Sequence, residues 1–144
     1  MDVDHQYCTF YLGGHHFAID VLGVQEVFRL QEITRVPLAP GLLEGLINLR
    51  GRIITAINLH ELFGIPEKDG EKPGTCIVTR TDEGSVCLLV DQIGDVLTPA
   101  AHALESPPDT LDPRIRRLVR QVCKLENNLL LILDTEAAVG GATV

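Results

Sequence analysis

The stretch from Leu42 to Gly64 reads LLEGLINLRGRIITAINLHELFG, and its apolar pattern returns in the second half of the chain from Leu118 to Gly140 as LVRQVCKLENNLLLILDTEAAVG. Placed over each other without a gap, the two stretches share apolar residues at about half of their positions and end on the same glycine. Such internal similarity predicts two similar structural halves. The polar turn at the centre differs, because Asn48–Gly51 (NLRG) corresponds to KLEN at 124–127. Function is therefore expected in the turn that was not duplicated.

The composition bounds the fold class. The chain has 144 residues, of which 45% are hydrophobic and 22% charged, which is typical of one globular domain. Aromatic residues make up only 4% and there is no Trp, so the core must consist mainly of Leu, Ile and Val. In short runs these residues favour strands, and a mainly β protein is predicted.

The charge argues against nucleic acid and membrane partners. A formal net charge of -8 disfavours phosphate binding. The basic residues of one short segment are interpreted as a solvated face: Arg114, Arg116, Arg117 and Arg120. No apolar run approaches the roughly 20 residues that span a bilayer, and the start, MDVDHQY, lacks the features of a signal peptide. A cytoplasmic protein without membrane insertion is predicted.

The residues that could hold a metal are scattered. Four cysteines stand apart, without a C-x-x-C pair or a histidine at ligand spacing: Cys8, Cys76, Cys87 and Cys123. We interpret them as buried, reduced thiols in strands. His15 and His16 follow Gly13-Gly14, where a solvated polar pair in a hairpin turn is expected. No metal or cofactor is predicted.

Two hairpins with the same continuation organise the halves. The first comprises strands at Tyr7–Leu12 and Phe17–Val21, the second Thr75–Thr79 and Val86–Val90, and each continues through Asp into a further strand, at Asp20–Val27 and Asp91–Val96. In the opening stretch we predict a helical turn at Gly41–Leu46, strands at Ile47–Arg50 and Ile53–Ile57, and a short helix at Asn58–Phe63 ended by Gly64.

This pattern predicts two small barrels side by side. Five short strands per half close readily into a barrel without exposed edges. The predicted subdomains span about 7–65 and 75–140 of a single domain, separated by the polar segment Pro66–Gly74. Neither half is large enough to be stable alone, so an apolar interface with a groove beside it is expected.

One enzyme class has a partial match in the sequence. Asp134-Thr135 ends an apolar strand in a duplicated chain, which is the setting of an aspartic protease dyad. Glu136 replaces the required glycine, and the equivalent position of the first half is Asn58, so the second carboxylate is missing. We interpret Asp134 as the cap of a helical turn. No nucleophile or phosphate-binding motif is present, and the chain is not predicted to be an enzyme.

The polar turn suggests a protein interface. Arg50 offers a rigid fork of donors beside a glycine that permits close approach. An internal ion pair with Glu26 or Glu44 is an equal alternative and is compatible with a partner contact. On the strand after Asp20 two alternating sets are predicted, one of which faces outward: Val24, Glu26 and Phe28 against Gln25 and Val27.

Three segments, FAIDVLGVQEVFRL (17–30), TRVPLAPGLLEGLINLRGRIITAINLHELFG (34–64) and CLLVDQIGDVL (87–97), together resemble the family of the bacterial chemotaxis coupling protein CheW. The resemblance implies two five-stranded SH3-like barrels around a hydrophobic interface, without catalytic activity. It also implies an adaptor that joins the cytoplasmic tips of methyl-accepting chemoreceptors to the histidine kinase CheA, whose regulatory domain has the same fold. Such a protein is cytoplasmic and recruited to membrane-associated receptor arrays.

The resemblance also implies a site. The receptor-facing surface would comprise Val24, Glu26, Val27, Asn48, Arg50 and Gly51. Kinase contact would use the ends of the two barrels. The final repeat departs from the family pattern at Gln121 and at Asn127-Asn128, which puts the local turn geometry and the second-barrel contacts in question. A coupling protein of a related pathway, for pilus motility, surface sensing or development, is the alternative.

Overall fold

The computed structural model describes residues 5–29, 43–67, 74–82 and 84–142. This part of the chain is mainly strand. The strands are β1 (Tyr7–Leu12), β2 (His15–Asp20), β3 (Val24–Arg29), β4 (Leu43–Leu49), β5 (Arg52–Asn58), β6 (Thr75–Thr81), β7 (Gly84–Val90), β8 (Gln92–Leu97), β9 (Leu104–Glu105), β10 (Val119–Lys124) and β11 (Leu129–Leu133). The helices are α1 (Leu59–Phe63), α2 (Pro113–Arg116) and α3 (Thr135–Ala142), with single 3-10 turns at Val21–Gly23 and Ala101–Ala103.

The strands form two sheets. The six-stranded sheet has the order β8-β1-β2-β11-β10-β9, and the five-stranded sheet has the order β3-β6-β7-β5-β4. Most neighbours are antiparallel, but β5 pairs with β7 and β11 with β2 in parallel. The predicted fold class, mainly β with short helices, is confirmed.

Neither sheet follows the division of the chain into halves. The hairpin β6–β7 of the second half lies in the five-stranded sheet, between β3 and β5 of the first half. The hairpin β1–β2 of the first half lies in the six-stranded sheet, between β8 and β11. The expectation that 7–65 and 75–140 each build their own barrel is therefore corrected: the halves exchange their first hairpins, and the parallel ladders hold the exchanged hairpins in place.

Within the described residues, apolar side chains form three clusters. The largest joins the sheets, since it contains Phe10 and Phe17 of the six-stranded sheet together with Ile77 and Leu88 of the five-stranded sheet. Phe63 of α1 stacks on Phe17 with ring centroids 4.8 Å apart. Each sheet has a smaller cluster on its other face. The predicted hydrophobic interface is present, and its buried area is the main source of stability.

The five-stranded sheet curls around its own cluster, which draws side chains from all five strands: Phe28, Ile47, Leu49, Ile54, Ala56, Cys76, Val78, Cys87 and Leu89. Arg50, which follows β4, is hydrogen-bonded to Glu26 of β3, so the two edge strands of this sheet approach each other. Closure into an SH3-like barrel stays a prediction, because within the described residues the pairing leaves each sheet with two ends.

The local predictions had mixed outcomes. Both hairpins and the helix after Asn58 are confirmed; Asn58 caps α1 by accepting from His60 N at 3.0 Å, and Gly64 ends it with φ 72°. The helical turn predicted at Gly41–Leu46 is wrong, because β4 begins at Leu43 and pairs with β5. Sheet pairing here overrides the local preference. Positions 41 and 42, and most of the boundary segment at 66–74, lie outside the described residues.

The cysteine prediction holds in part. All four cysteines are buried in strands, and Cys8 and Cys123 are free thiols as expected. Cys76 and Cys87 instead form a disulfide, which corrects the prediction that they are reduced. They lie on neighbouring antiparallel strands with Cα atoms 5.8 Å apart, a separation that a disulfide spans.

The histidine pair is also corrected. The turn is Gly13-Gly14 alone, and both histidines belong to β2. His15 is half-buried and His16 is only 7% exposed. The two glycines take positive φ angles of 54° and 87°, so a two-residue turn suffices and the strand begins earlier than predicted.

Candidate functional site

The turn between β4 and β5 consists of two residues. Leu49 pairs with Arg52, and the residues between them, Arg50 and Gly51, have φ angles of 52° and 84°. Two successive positive φ angles are typical of a type I′ hairpin turn, which suits the twist of the strands. Arg50 is the only non-glycine residue with positive φ in the described part of the chain. The turn thus holds an arginine in a backbone conformation that disfavours side chains.

Asn48 supports this turn from within. Its Oδ1 accepts a hydrogen bond from Gly51 N at 3.0 Å. A short polar side chain that binds the backbone three residues later satisfies an amide that the strand ladder leaves free. The structure therefore gives Asn48 and Gly51 a part in shaping the turn that presents Arg50.

Arg50 forms a bidentate ion pair with Glu26. Nη1 donates to Glu26 Oε2 at 2.8 Å and Nη2 donates to Oε1 at 2.6 Å. The pair joins the β4–β5 turn to β3, the opposite edge of the five-stranded sheet. The Arg50 side chain remains 75% exposed and that of Glu26 27%. The predicted internal pair with Glu26 is confirmed, whereas the side chain of Glu44 lies outside the described residues.

A bulge in β3 corrects the predicted alternation of side chains. The pairing with β6 shifts register between Val24, which faces Thr79, and Glu26, which faces Val78. Val24 packs against the cluster between the sheets, while Phe28 packs in the curl of the five-stranded sheet. An extra residue at a bulge reverses the face on which the later residues of the strand lie. Val24 and Glu26 therefore do not share a face.

The six predicted residues are placed as two groups. Glu26, Asn48, Arg50 and Gly51 meet at the turn through the ion pair and the Asn48 hydrogen bond. Val24 and Val27 lie on β3 toward the face that meets the six-stranded sheet, and Val27 is 40% exposed. Val27 pairs with Ile77, a member of the cluster between the sheets. The structure thus supplies an exposed ion pair at one face of β3 and an exposed valine at the other.

A second polar set extends the ion pair along the sheet. The Gln25 carboxamide donates to Ser85 Oγ at 2.6 Å, and its oxygen accepts from Arg80 Nε and Nη2 at 3.2 Å. Arg52 Nη2 donates to the same Ser85 Oγ at 3.1 Å. Sequence patterns do not group these residues, since they come from β3, β5, β6 and β7. The strand order β3-β6-β7-β5 brings them together.

Two exposed apolar residues close to β3 and the β4–β5 turn were missed. Ile53 is 64% exposed and pairs directly with Asn48 across the β4–β5 hairpin. Leu22, in the 3-10 turn that leads into β3, is 85% exposed. Both stand in apolar stretches of sequence that predict core positions. The only indication of their exposure in the sequence is that each follows a polar position: Leu22 follows Asp20, and Ile53 follows the NLRG turn.

The residues considered for chemistry have structural roles. Asp134 Oδ1 accepts from Ala137 N at 3.1 Å and so caps α3, as predicted. Burial raises the pKa of the Cys8 and Cys123 thiols, which keeps them in the unreactive protonated form at neutral pH. Across the described ranges no cluster of His, Cys, Asp and Glu suits a metal ion. None of the helices in these ranges has the length and apolarity to span a membrane.

Two sheets packed on a shared core, with polar and apolar side chains exposed around one hairpin turn, define a two-sheet β domain. The model of the CheW-like domain matches residues 6–142, nearly the whole chain. The chain belongs to the CheW-like domain family, a family of chemotaxis scaffold proteins.

Curated relatives and a solved structure agree. The chain is 31% identical to the chemotaxis protein CheW of Bacillus subtilis over 131 residues, which cover 91% of this chain and 84% of that protein. It is also 31% identical to the CheW of Thermotoga maritima, with coverage of 94% and 88%. The crystal structure of the scaffolding protein TtCheW from Thermoanaerobacter tengcongensis superposes with a TM-score of 0.84 at 27% identity, covering 96% of this chain and 89% of that one.

Proposed function

We propose that this protein is a non-catalytic adaptor that couples the cytoplasmic tips of chemoreceptors to the histidine kinase CheA. Membership of a family of chemotaxis scaffold proteins is the observation that carries the proposal. Scaffolding requires surfaces rather than reactive groups, and the polar residues considered for catalysis cap helices or shape turns instead.

The receptor is proposed to bind where β3 meets the β4–β5 turn. Arg50 is held in place by Glu26 yet stays 75% exposed, so donors of its guanidinium remain available to carbonyl or carboxylate groups of a partner. The exposed side chain of Ile53, which pairs with Asn48, would supply an apolar contact beside it, and Val27 would supply a second one from the other face of β3. A helix that packs in a groove needs this combination of apolar contacts and a few fixed polar anchors.

Preorganisation is the physical advantage of this arrangement. A free arginine side chain loses rotamer entropy when it binds, about 0.5–1.5 kcal/mol at an interface. The bidentate contact with Glu26 fixes the fork before the partner arrives. By itself an exposed ion pair stabilises a fold by only about 0–1 kcal/mol. We therefore assign the pair to recognition rather than to stability.

Two separate binding assays test the function. The protein is immobilised and offered, in different experiments, a chemoreceptor signalling-tip fragment and the regulatory domain of a CheA from the same genome. Retention of both partners is expected. Retention of neither contradicts the adaptor proposal, and retention of the receptor alone contradicts the coupling to the kinase.

A further inference from the structure

A pocket lies on the six-stranded sheet, on the face turned away from the five-stranded sheet. Leu97 of β8 and Leu125 of the β10–β11 turn form its apolar part, and both pack on the cluster of that face. Tyr11 and His16, opposite each other on β1 and β2, also line it. The pocket thus lies beside the smaller apolar cluster of the six-stranded sheet. The Arg50–Glu26 pair belongs to the five-stranded sheet, so the two sites are separate.

His16 gives this pocket an unmet hydrogen-bonding need. Its ring stacks on Tyr11 with centroids 4.5 Å apart and planes 8° apart. The side chain is 7% exposed, and both ring nitrogens are buried without a hydrogen-bond partner in the described part of the chain. A buried polar group without a partner is costly, and native proteins rarely retain one without a reason. We interpret this imidazole as one side of a contact with a ligand.

The charged lining consists of two carboxylates, and Thr9, Asn127 and Asn128 add neutral polar groups. The carboxylates of Asp95 and Glu126 are exposed at the rim, and neither takes part in an ion pair within the described ranges. Thr9 Oγ1 donates to the Asp95 carbonyl at 2.5 Å, which fixes this part of β8. No Lys or Arg lines the pocket among the described residues. Charge complementarity therefore favours a cationic ligand over an anionic one.

We propose that this pocket binds the side chain of an arginine presented by a partner protein. Its aliphatic stem would cover Leu97 and Leu125, and its planar head would reach the polar part of the pocket. The guanidinium would donate to Asp95 and Glu126, and to the acceptor nitrogen of His16. Because the His16 nitrogens are buried, the contact with His16 requires the pocket lining to shift as the arginine enters.

The test is an NMR titration of the isotope-labelled full chain with N-acetyl-arginine-N-methylamide. Saturable shifts of the His16 ring signals and of the Asn127 and Asn128 side-chain amides are expected in the millimolar range. The lysine analogue should bind more weakly, since it lacks the planar fork. The citrulline analogue has the same shape without the charge and should not saturate. Absence of saturable shifts, or equal binding of citrulline, overturns the proposal.

Variants separate this pocket from general surface charge. Asp95→Asn should weaken binding about fivefold to tenfold, because it replaces a charge-assisted contact with a neutral one. Asp109→Asn removes a carboxylate outside the pocket and should change affinity less than about twofold. His16→Phe keeps a ring to stack on Tyr11 but loses the acceptor, and should also weaken binding. If Asp95→Asn and Asp109→Asn weakened binding equally, general surface charge would account for the binding and the proposed site would be wrong.

A final arm distinguishes a partner's side chain from a free metabolite. Free L-arginine carries an ammonium and a carboxylate that the blocked residue lacks. Similar affinities for both compounds are expected if only the side chain is recognised. Free arginine binding more than about tenfold tighter would overturn the assignment to a protein partner, since that gain corresponds to a dedicated contact with the amino-acid end.

Discussion

The β4–β5 turn and the β10–β11 turn occupy equivalent places in the duplicated pattern but have different structures. The first has two residues, Arg50 and Gly51, both with positive φ. The second has four, between the paired residues Lys124 and Leu129, and Leu125 N donates to Asn128 O at 2.8 Å. Within the described residues this second turn contains no positive φ. Duplication therefore preserved the strands, while the turn residues came to determine which surface each copy presents.

The sheets extend this comparison. In the five-stranded sheet the exchanged hairpin β6–β7 lies between the single strand β3 and the hairpin β4–β5. In the six-stranded sheet the exchanged hairpin β1–β2 lies between the single strand β8 and the hairpin β10–β11. Because the orders are equivalent, the scaffold is nearly symmetric. The two copies differ at their turns and helix ends, and variants at equivalent positions of the two copies can measure what these differences do.

The largest effect is expected from cutting the chain within 68–73. Each fragment would lose the hairpin at the middle of its sheet, together with its side of the core between the sheets. We expect neither fragment to unfold cooperatively alone and a mixture to regain the native spectrum, as measured by circular dichroism and NMR. A Gly/Ser insertion at the same place is the control and should cost less than about 1 kcal/mol. A fragment that folds alone contradicts the exchange.

Gly64 and Gly140 should respond in opposite directions to alanine. Gly64 ends α1 with φ 72°, and a Cβ there would collide with the Arg114 side chain. Gly64→Ala should destabilise the fold by about 1–2 kcal/mol. Gly140 lies within α3, where a Cβ meets nothing within 4 Å, so Gly140→Ala should stabilise by about 0.5–1 kcal/mol. Chemical denaturation measures the change in the free energy of unfolding for both variants. Changes of the same sign would mean that the two glycines have the same structural role.

A smaller difference is expected between Asn48 and Asn127. Asn48→Ala removes the acceptor for Gly51 N and should cost about 0.5–1.5 kcal/mol. Asn127 is exposed at the equivalent region of the second turn, and Asn127→Ala should change the free energy of unfolding by less than about 0.5 kcal/mol. Thermal unfolding of both variants and the parent under the same conditions measures the two effects. A larger loss at Asn127 would mean that the second turn also depends on side-chain support.

The sequence predicts the local elements better than their partners. Alternation and turn residues locate both hairpins, and Asn58 and Gly64 mark the ends of α1. The exchange of hairpins is not predictable, because the apolar pattern of β5 is equally compatible with pairing to β2 or to β7. The parallel β5–β7 ladder decides between them, and it is a long-range contact without a local signature.

The site is also predictable only in part. The residue types of the NLRG turn indicate an anchor, and Glu26 is one of its two predicted internal partners. The bulge that separates Val24 from Glu26 has no such signal, since it depends on the pairing of β3 with β6. Ile53 begins an apolar run that predicts a core position, yet its side chain is exposed. It lies near the start of β5, beyond the apolar cluster that covers Ile54 and Ala56 of the same strand. Assignment of the six residues to receptor binding stays a prediction.

The central claim is that the unduplicated turn binds the receptor, and the affinity of a receptor-tip fragment for two matched variants tests it. Arg50→Ala should weaken binding about tenfold, or ~1.4 kcal/mol, while Lys124→Ala at the equivalent turn should leave it within about twofold. Arg50→Gly removes the same guanidinium and suits φ 52°, so it separates recognition from folding. Stability of all three should stay within about 1 kcal/mol of the parent. Undiminished affinity in both Arg50 variants would contradict the account.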